Sequence, residues 1–188
     1  MGRGRTKIKL TLQEKSAPQW TPNCSISARN LSKSELGGVI FGCTRATYNE
    51  CILKQLFGLP APHFPYVKNV TLSMPLFLFN YSDRKLHGIF EAAGPGQMNI
   101  DTSAWTLDGS KKTSFPAQVR VKVRIQCASL SEDQFGPIIT GNYYEHNHFW
   151  FELDKKQTQQ LISLFSQSPV NHIASAPKRA ANWGSFFA

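Results

Sequence analysis

The sequence lacks the closely spaced cysteine pairs that hold zinc or build a disulfide framework. Its 188 residues include four cysteines, at positions 24, 43, 51 and 127, and no two of them form a CxxC pair. A chain of this length can bury one core of ordinary size. We therefore expect a single domain in an intracellular protein, cytoplasmic or nuclear, with its thiols reduced.

Membrane spans and the common catalytic motifs are also missing. No apolar run approaches the roughly 20 residues of a transmembrane helix, and no apolar signal-peptide core follows the basic start. The chain contains no GxSxG, HExxH or P-loop pattern. Cys43 and His87 could act as nucleophile and base, but nothing in the sequence brings them together. We expect no enzymatic activity, no metal and no cofactor.

Positive charge is abundant, but it is concentrated outside the middle of the chain. The net charge is +9, and seven basic residues against two acidic ones precede Gly37. Such a segment is either a solubilising arm or a phosphate-contacting one. We expect a basic flexible segment over residues 1–36, a domain over residues 37–166, and a flexible tail over residues 167–188.

The first part of the expected domain predicts a strand and then a helix. Gly38–Cys43 is a short apolar run bounded by glycine. Thr47 and Glu50 have the spacing of a capping box, and Gly58 with Pro60 would end the helix after about three turns. The apolar face of this helix would consist of Ile52, Leu53, Leu56 and Phe57.

The middle of the chain predicts a hairpin and a basic strand. Residues 76–81 and 86–93 are β-like runs around a polar turn. Further on, apolar and basic residues alternate, and a two-residue period sends them to opposite faces. The predicted inward residues are Val119, Val121, Val123 and Ile125, and the predicted outward ones are Arg120, Lys122 and Arg124.

The end of the expected domain predicts a strand and a final helix. Phe149, Phe151 and Leu153 alternate with other residues, and Asp154 can cap a helix. Its inward residues would be Leu161, Ile162, Leu164 and Phe165. The fold class is α+β, with a small curved sheet or open barrel and flanking helices.

Two side chains in the middle of the chain allow alternative roles. Trp105 lies in a loop of small and polar residues, where an indole is either a plug that closes the core or one wall of a pocket. Glu91 follows apolar strand residues, and a structural hydrogen-bonding role there competes with that of a general base.

Several separated motifs resemble the plant-associated development and cell death (DCD) domain family. They are GGVIFGC at 37–43, FGLP at 57–60, LFLF at 76–79 and PAQVR at 116–120, in the family's order. The resemblance implies a regulatory protein of plant development, stress response and programmed cell death, without an established enzymatic activity. Neither end of this chain is asparagine-rich, so it resembles the short members.

The same motif order is similar to the YTH domains, which are RNA readers with a PUA-like barrel. In those domains a tryptophan after the hairpin belongs to an aromatic cage for methylated adenosine, and Trp105 falls at the matching place. The second cage tryptophan has no counterpart, and Phe57 is the nearest aromatic. The resemblance therefore implies a base-stacking surface more than a methyl-specific cage.

Two hypotheses about function follow. A nucleic-acid module would bind single-stranded RNA along its basic strand, with a base against Trp105. An adaptor would bind signalling proteins through the hairpin rim and aromatic residues such as Tyr143, Tyr144 and Trp183. The candidate ligand-binding residues are Trp105, Phe57, Asn80, Glu91, Arg120, Lys122 and Arg124.

Overall fold

The computed structural model of the protein describes residues 28–167. Its strands are β1 (Leu36–Cys43), β2 (Leu56–Leu59), β3 (Pro75–Asn80), β4 (Lys85–Ala92), β5 (Gln97–Met98), β6 (Ala117–Val123), β7 (Leu130–Ser131), β8 (Tyr143–Glu145), β9 (His148–Phe149) and β10 (Glu152–Asp154). Its helices are α1 (Arg45–Leu53), α2 (Phe64–Val67), α3 (Glu132–Phe135) and α4 (Lys155–Ser166). Within the described residues, no helix has both the length and the apolarity to cross a bilayer.

One curled sheet, a half-barrel, organises the domain. Its strand order is β10-β1-β3-β4-β6-β2, with β5 added beside β6 and β7 beside β4. Strands β1 and β3 run parallel, and their neighbours pair antiparallel. The short pair β8-β9 forms a second sheet. This architecture confirms the α+β fold class and the expected hairpin, which is β3 and β4.

Aromatic side chains fill both faces of the sheet. The Phe57 ring centroid lies 5.7 Å from that of Phe41 and 4.9 Å from that of Phe90 on one face. On the other face Phe77 stacks on Phe165 of α4, with ring centroids 5.8 Å apart. These five side chains are almost completely buried. A sheet covered on both faces explains why β1 and β3 are continuous apolar runs without polar alternation.

The final helix begins where the sequence predicts. Asp154 is its N-cap residue and accepts a hydrogen bond from the Gln157 backbone at 2.8 Å, and the Gln157 side chain accepts one from the Asp154 backbone at 3.2 Å. This reciprocal pair is a capping box. Leu161 and Phe165 are fully buried, so the predicted apolar face packs on the sheet as expected.

The first helix is shorter than predicted. Its capping box joins Thr44 to Thr47, not Thr47 to Glu50. The helix ends at Leu53, whose side chain is 84% exposed, and Gln55 has a positive φ of 49° that reverses the chain. The next residues form β2 because they pair with β6, so Leu56 and Phe57 are strand residues. Long-range pairing overrides the local helical pattern here.

The prediction that the basic strand turns its apolar residues inward is correct only over part of its length. Val119 and Val121 are buried, whereas Val123 is 55% exposed and Ile125 is 44% exposed. The pairing with β2 ends at Arg120, so beyond that point β6 has lost its neighbour on one side. Nothing in residues 28–167 fully covers Val123 and Ile125. The prediction that these two side chains face inward is therefore wrong.

Residues before Gly37 contact the domain. The Arg29 guanidinium donates hydrogen bonds to Asn142 at 3.0 Å and to Gln157 at 2.6 Å, and it pairs with Asp154 at 3.3 Å. The Arg29 backbone N–H also donates to the buried Glu152 carboxylate at 2.5 Å. Part of the described stretch 28–36, which precedes the expected boundary at residue 37, is therefore bound to the domain. Residues 1–27 and 168–188, with the rest of the expected segments, lie outside the described residues.

Replacing Arg29 by alanine should destabilise the domain. The substitution removes the Arg29 guanidinium from a half-buried network and leaves Asn142 and Gln157 with fewer partners. We expect a loss of about 2–3 kcal/mol in the free energy of unfolding, below the value for a fully buried ion pair because Arg29 is partly exposed. Urea denaturation measures it. Lys33→Ala, an exposed cation in the same segment, should change stability by less than about 0.5 kcal/mol, and equal effects of the two substitutions would contradict this role of Arg29.

Candidate ligand pocket beside Trp105

A pocket of about 210 Å³ opens between the end of β1, the start of α1 and the loop after β5. It is smaller than the roughly 300–1,000 Å³ of sites for drug-sized ligands, which suits a single flat ring system. Its lining is mainly apolar and consists of Gly42, Cys43, Thr44, Thr47, Cys51, Gly58, Trp105 and Phe115.

Trp105 forms one wall of this pocket. Its ring packs edge-on against Phe115, with centroids 5.7 Å apart and planes at 89°. A Cβ atom at Gly58 would lie 2.6 Å from Cη2 and Cζ3 of the indole, so glycine lets the ring sit directly on β2. Trp105 is partly buried and packs against the core cluster while also bordering the pocket. It thus combines the two alternatives, plug and wall.

The Trp105 backbone adopts an unfavourable conformation, which contacts with other parts of the domain must stabilise. Its φ of 59° is in the left-handed region, which costs a bulky residue roughly 1–3 kcal/mol. The Trp105 backbone N–H donates to Oε1 of Glu50 on α1 at 2.8 Å. Helix α1 therefore holds the backbone from which the indole projects.

Asp101 anchors the same loop from its other end. Its carboxylate accepts a hydrogen bond from Lys54 Nζ at 2.7 Å and another from the Ser103 backbone at 2.9 Å. These two contacts lower the pKa of Asp101 to about 2. The buried Gln118 side chain accepts from the Asp101 backbone N–H at 2.7 Å and donates to the Asp101 carbonyl at 2.9 Å. The loop is thus tied to α1 and to β6 at once.

Burial keeps the two thiols in the pocket protonated at neutral pH. It raises the pKa of Cys43, and it raises the pKa of Cys51 to about 12. An activated nucleophile needs a lowered thiol pKa. The structure therefore gives no support to a Cys43 and His87 nucleophile pair, and the pocket offers a neutral apolar surface instead.

The three cations predicted on and after β6 differ in whether an ion pair holds them. Gln118 and Arg120 are two residues apart in β6, which places their side chains about 7 Å apart on one face of the sheet. Lys122 Nζ lies 2.8 Å from Oε1 of Glu91 across the β4-β6 pair, so its charge is neutralised. Arg120 and Arg124 are exposed and form no ion pair within residues 28–167.

Two predicted ligand residues are placed elsewhere. The Phe57 ring is fully buried between Phe41 and Phe90 and presents no surface to a ligand, so its predicted binding role is wrong. Asn80 is mostly buried, accepts a hydrogen bond from the Ser82 backbone at 2.9 Å and borders a separate polar cleft. Glu91 is the ion-pair partner of Lys122, in keeping with a structural role.

Sequence reasoning did not single out Gly58, Thr44, Cys51 or Gln118 as site residues. Gly58 carried a signal, since an isolated glycine in a strand often marks a close approach. Gln118, which anchors the loop, carried no such signal in the sequence, because a glutamine in an alternating strand is normally exposed. Its burial depends on a loop that begins almost 20 residues earlier along the chain.

Replacing Gly58 by alanine should displace the Trp105 ring. The added methyl group would occupy the space of the indole edge and lie 2.8 Å from the Phe115 carbonyl oxygen. We expect a shift in tryptophan emission and a loss of about 1–3 kcal/mol in the free energy of unfolding. If Gly58→Ala no longer changes the emission when Trp105 is replaced by phenylalanine, the change comes from Trp105 and not from another tryptophan. Gly94→Ala, where a methyl group meets nothing within 4 Å, is the matched control, and a native-like emission spectrum of Gly58→Ala would refute the contact.

The orientation of Trp105 should depend on pH in the acid range. Because the pKa of Asp101 is lowered from 3.8 to about 2, its anchoring contribution is complete above about pH 4 and is lost as the pH falls towards 2. We expect an emission change of Trp105 in that window, and Asp101→Asn should abolish the change. Asp108→Asn alters a carboxylate that bonds to Ser110 in its own turn, so the acid transition should remain. A transition that persists in Asp101→Asn would exclude Asp101 as the anchor.

Sequence comparison finds plant relatives of this domain. Residues 37–165 match the family model described as the development and cell death domain. The chain is 42% identical to the B2 protein of Daucus carota over 143 residues, which are 75% of this chain and 68% of that protein. It is 44% identical to the DCD domain-containing protein NRP-B of Glycine max over 133 residues, 70% of this chain. The match spans 40% of the length of NRP-B.

Structural comparison finds YTH domains. The Mmi1 YTH domain in complex with RNA aligns with a TM-score of 0.56 at 10% identity, covering 84% of this chain and 94% of that one. The Toxoplasma CPSF4 YTH domain in complex with a 7-mer m6A-modified RNA aligns with a TM-score of 0.52 at 13% identity, covering 74% and 96%. At such identities the likeness shows a shared fold. The family model and the plant relatives together show that this chain belongs to the development and cell death (DCD) domain family.

Proposed function

We propose that this chain is a non-enzymatic binding module that holds one base of a single-stranded RNA in the pocket beside Trp105. Its biological setting would be the regulation of plant development, stress response and programmed cell death, which the family's name describes in part. The observation that carries the proposal is the position of Trp105, whose indole borders an apolar pocket while α1 and β6 fix its loop.

The pocket matches the needs of a nucleobase. A base is flat and has two π-faces, and stacking on an aromatic side chain contributes roughly 1–3 kcal/mol per base. Thr44 and Thr47 also border the pocket. Their hydroxyl groups take part in the α1 cap and keep further hydrogen-bonding capacity for ring substituents. The neutral thiols of Cys43 and Cys51 supply apolar contact.

Positive charge lies beside this pocket in a place that a phosphate backbone could follow. Arg120 is exposed two residues from Gln118, which holds the Trp105 loop, and Arg124 is exposed further along the chain. Neither guanidinium is paired within the described part of the chain, so each can approach a phosphate without first breaking an ion pair. Lys122 contributes less because Glu91 neutralises it.

The fold supports RNA as the nucleic acid. Among the structures with the same fold, the Mmi1 and CPSF4 YTH domains were solved with RNA, and the Pho92 YTH domain with m6A at a TM-score of 0.53. In this chain the pocket has Trp105 and Phe115 as aromatic walls, and Phe57 faces the core. We therefore propose binding of a base without selectivity for a methyl group.

A protein-binding adaptor is the second candidate, with signalling proteins as partners. The observation that favours it is the exposed apolar pair Val123 and Ile125. Of the aromatic residues expected to dock a partner, Tyr143 instead donates a hydrogen bond to Glu132 at 2.7 Å. Trp183 lies outside the described residues.

Replacing Trp105 should weaken RNA binding more than it weakens the fold. We expect Trp105→Ala to lower the affinity for a labelled single-stranded RNA by about 1–3 kcal/mol, whereas Trp105→Phe retains part of the stacking. Fluorescence anisotropy of the full chain and of residues 28–167, with circular dichroism of each variant, measures the effect. If the full chain binds only at low salt and residues 28–167 do not bind, the attraction comes from residues outside the domain.

A salt series provides the matched controls. Arg120→Ala and Arg124→Ala should each reduce the slope of log affinity against log salt by about 0.7, the contribution of one phosphate contact on a single strand. Glu91→Gln, which frees Lys122, should strengthen binding. Lys156→Ala removes an exposed cation on α4 and should leave the slope unchanged. A partner protein recovered equally well after nuclease treatment, with no saturable RNA binding, would favour the adaptor.

A further inference from the structure

The last residues of β6 form an open edge of the sheet, beside two adjoining cavities. The pairing of β6 with β2 ends at Arg120 and Leu56, and β6 continues to Val123 without a strand neighbour on that side. Cavities of about 110 and 320 Å³ border this stretch. Ile52 of α1 lines both of them, together with Phe90 and Val123 of the sheet. We name this surface, from Val121 to Val123 with its two cavities, the open β6 edge.

Strand geometry turns backbone groups of β6 outward at this edge. A strand residue directs its N–H and its carbonyl to the same side, and successive residues alternate between the two sides. The Arg124 N–H donates to the Ile89 carbonyl of β4 at 2.8 Å, so both groups of Val123 point away from β4. The Val121 N–H points the same way and donates to the Gln55 carbonyl at 2.9 Å. Within residues 28–167, the N–H and carbonyl of Val123 and the carbonyl of Val121 therefore have no strand to pair with.

The open β6 edge is apolar on one face and positively charged on the other. Val123, which is 55% exposed, shares a face with its β4 partner Phe90, and the partly buried Ile52 lies across the cavities from them. Lys122 projects from the opposite face because side chains alternate along a strand. Arg124 follows as an exposed cation that forms no ion pair within the described residues. A strand added here would meet apolar surface on one side and cations on the other.

Charge determines which strand fits this edge. A second copy of β6 would place its own cations opposite Lys122 and Arg124, and like charges directly across a strand pair are destabilising. Charged side chains at a sheet edge also act as a barrier to pairing between copies. Acidic side chains at the same positions would be attracted instead. The open β6 edge therefore favours a strand that alternates acidic and apolar residues over a second copy of this chain.

We propose that the open β6 edge binds an extended segment of a partner protein in which acidic residues alternate with apolar ones. The segment runs antiparallel to β6 in line with β2 and exchanges backbone hydrogen bonds with Val123. Its apolar side chains pack against Ile52 and Phe90, and its acidic side chains lie opposite Lys122 and Arg124. In strand addition of this kind the backbone bonds supply affinity and the alternating side chains supply specificity.

This partner class gives the adaptor alternative a chemistry and a geometry, and it does not depend on RNA binding. The two cavities at the open β6 edge share no lining residue with the Trp105 pocket. Failure of peptide binding and failure of RNA binding are therefore separate results.

N-methylated peptides test the backbone pairing on the native full-length chain. The probe is a short fluorescein-labelled peptide in which valine alternates with glutamate, and fluorescence anisotropy measures its binding. A peptide valine opposite Val123 directs its N–H towards β6, whereas the neighbouring glutamates direct theirs away. We expect N-methylation of the valine amides to weaken binding at least tenfold and N-methylation of the glutamate amides to weaken it less than twofold. Equal losses, or no saturable binding of the unmethylated peptide, would overturn the proposal.

A charge exchange tests the choice of partner. A peptide with lysine in place of glutamate should bind the native chain at least tenfold more weakly than the glutamate peptide. Arg124→Glu should reduce this preference at least fivefold. Lys156→Glu makes the same change of charge at an exposed position on α4 and should leave the preference unchanged. Equal preferences in the native chain and in Arg124→Glu would contradict the charge complementarity on which the partner class rests.

Val123→Pro distinguishes the partner strand from a second copy. The substitution removes the N–H at the open β6 edge, and it keeps the pairing with β4 because Val123 does not donate to β4. We expect loss of glutamate-peptide binding with a native circular dichroism spectrum. Sedimentation of the native chain should show no self-association through this edge. Self-association that Val123→Pro abolishes and that the glutamate peptide does not compete with would make a second copy the occupant and overturn the proposal.

Discussion

The half-barrel stays open between β1 and β2, because no backbone pairing joins these two strands. The positions of the helix and loops around the pocket depend on how this opening is filled. Strand β2 ends the sheet order and pairs with β6, while β1 pairs with β3 and β10. Helix α1 connects β1 to β2 and packs against both. Consecutive residues of this helix line different spaces. Cys51 lines the Trp105 pocket, and Ile52 lines a separate cavity with Phe90 and Val123. One short helix thereby creates two concave surfaces.

The Trp105 loop shows how a strained backbone is maintained in a folded domain. A positive φ at a tryptophan is unfavourable, so contacts elsewhere must outweigh its cost. Glu50 accepts from the Trp105 backbone, and the buried Gln118 amide satisfies both backbone groups of Asp101. Oε1 of Glu50 also lies 3.3 Å from Nζ of Lys54, and the same Nζ pairs with the Asp101 carboxylate. The pocket wall therefore depends on one connected polar network that spans α1, the loop and β6.

Local patterns predicted the elements whose own residues determine them. The hairpin β3-β4, the cap at Asp154 and the apolar face of α4 follow from turn chemistry, capping and periodicity over a few residues, and all three are present. The helix that the pattern extended to Phe57 ends earlier because β6 recruits the next residues as a strand. The basic alternation correctly placed Arg120 and Lys122 outside, but it could not show that Glu91 lies opposite Lys122. Register between distant strands supplies that information, and no local pattern contains it.

Whether the Trp105 pocket and the cavity beside Ile52 influence each other depends on the rigidity of α1. The helix is fixed at its start by the Thr44–Thr47 cap and by a 2.9 Å hydrogen bond from the Arg45 backbone to Ser82, and near its end by the contacts of Glu50 and Lys54 with the loop. Coupling between two sites requires an element with two arrangements that each ligand stabilises differently. A helix held at both ends has one arrangement as long as these contacts persist. The two surfaces then act independently, and coupling would arise only where a ligand releases the Trp105 loop from α1.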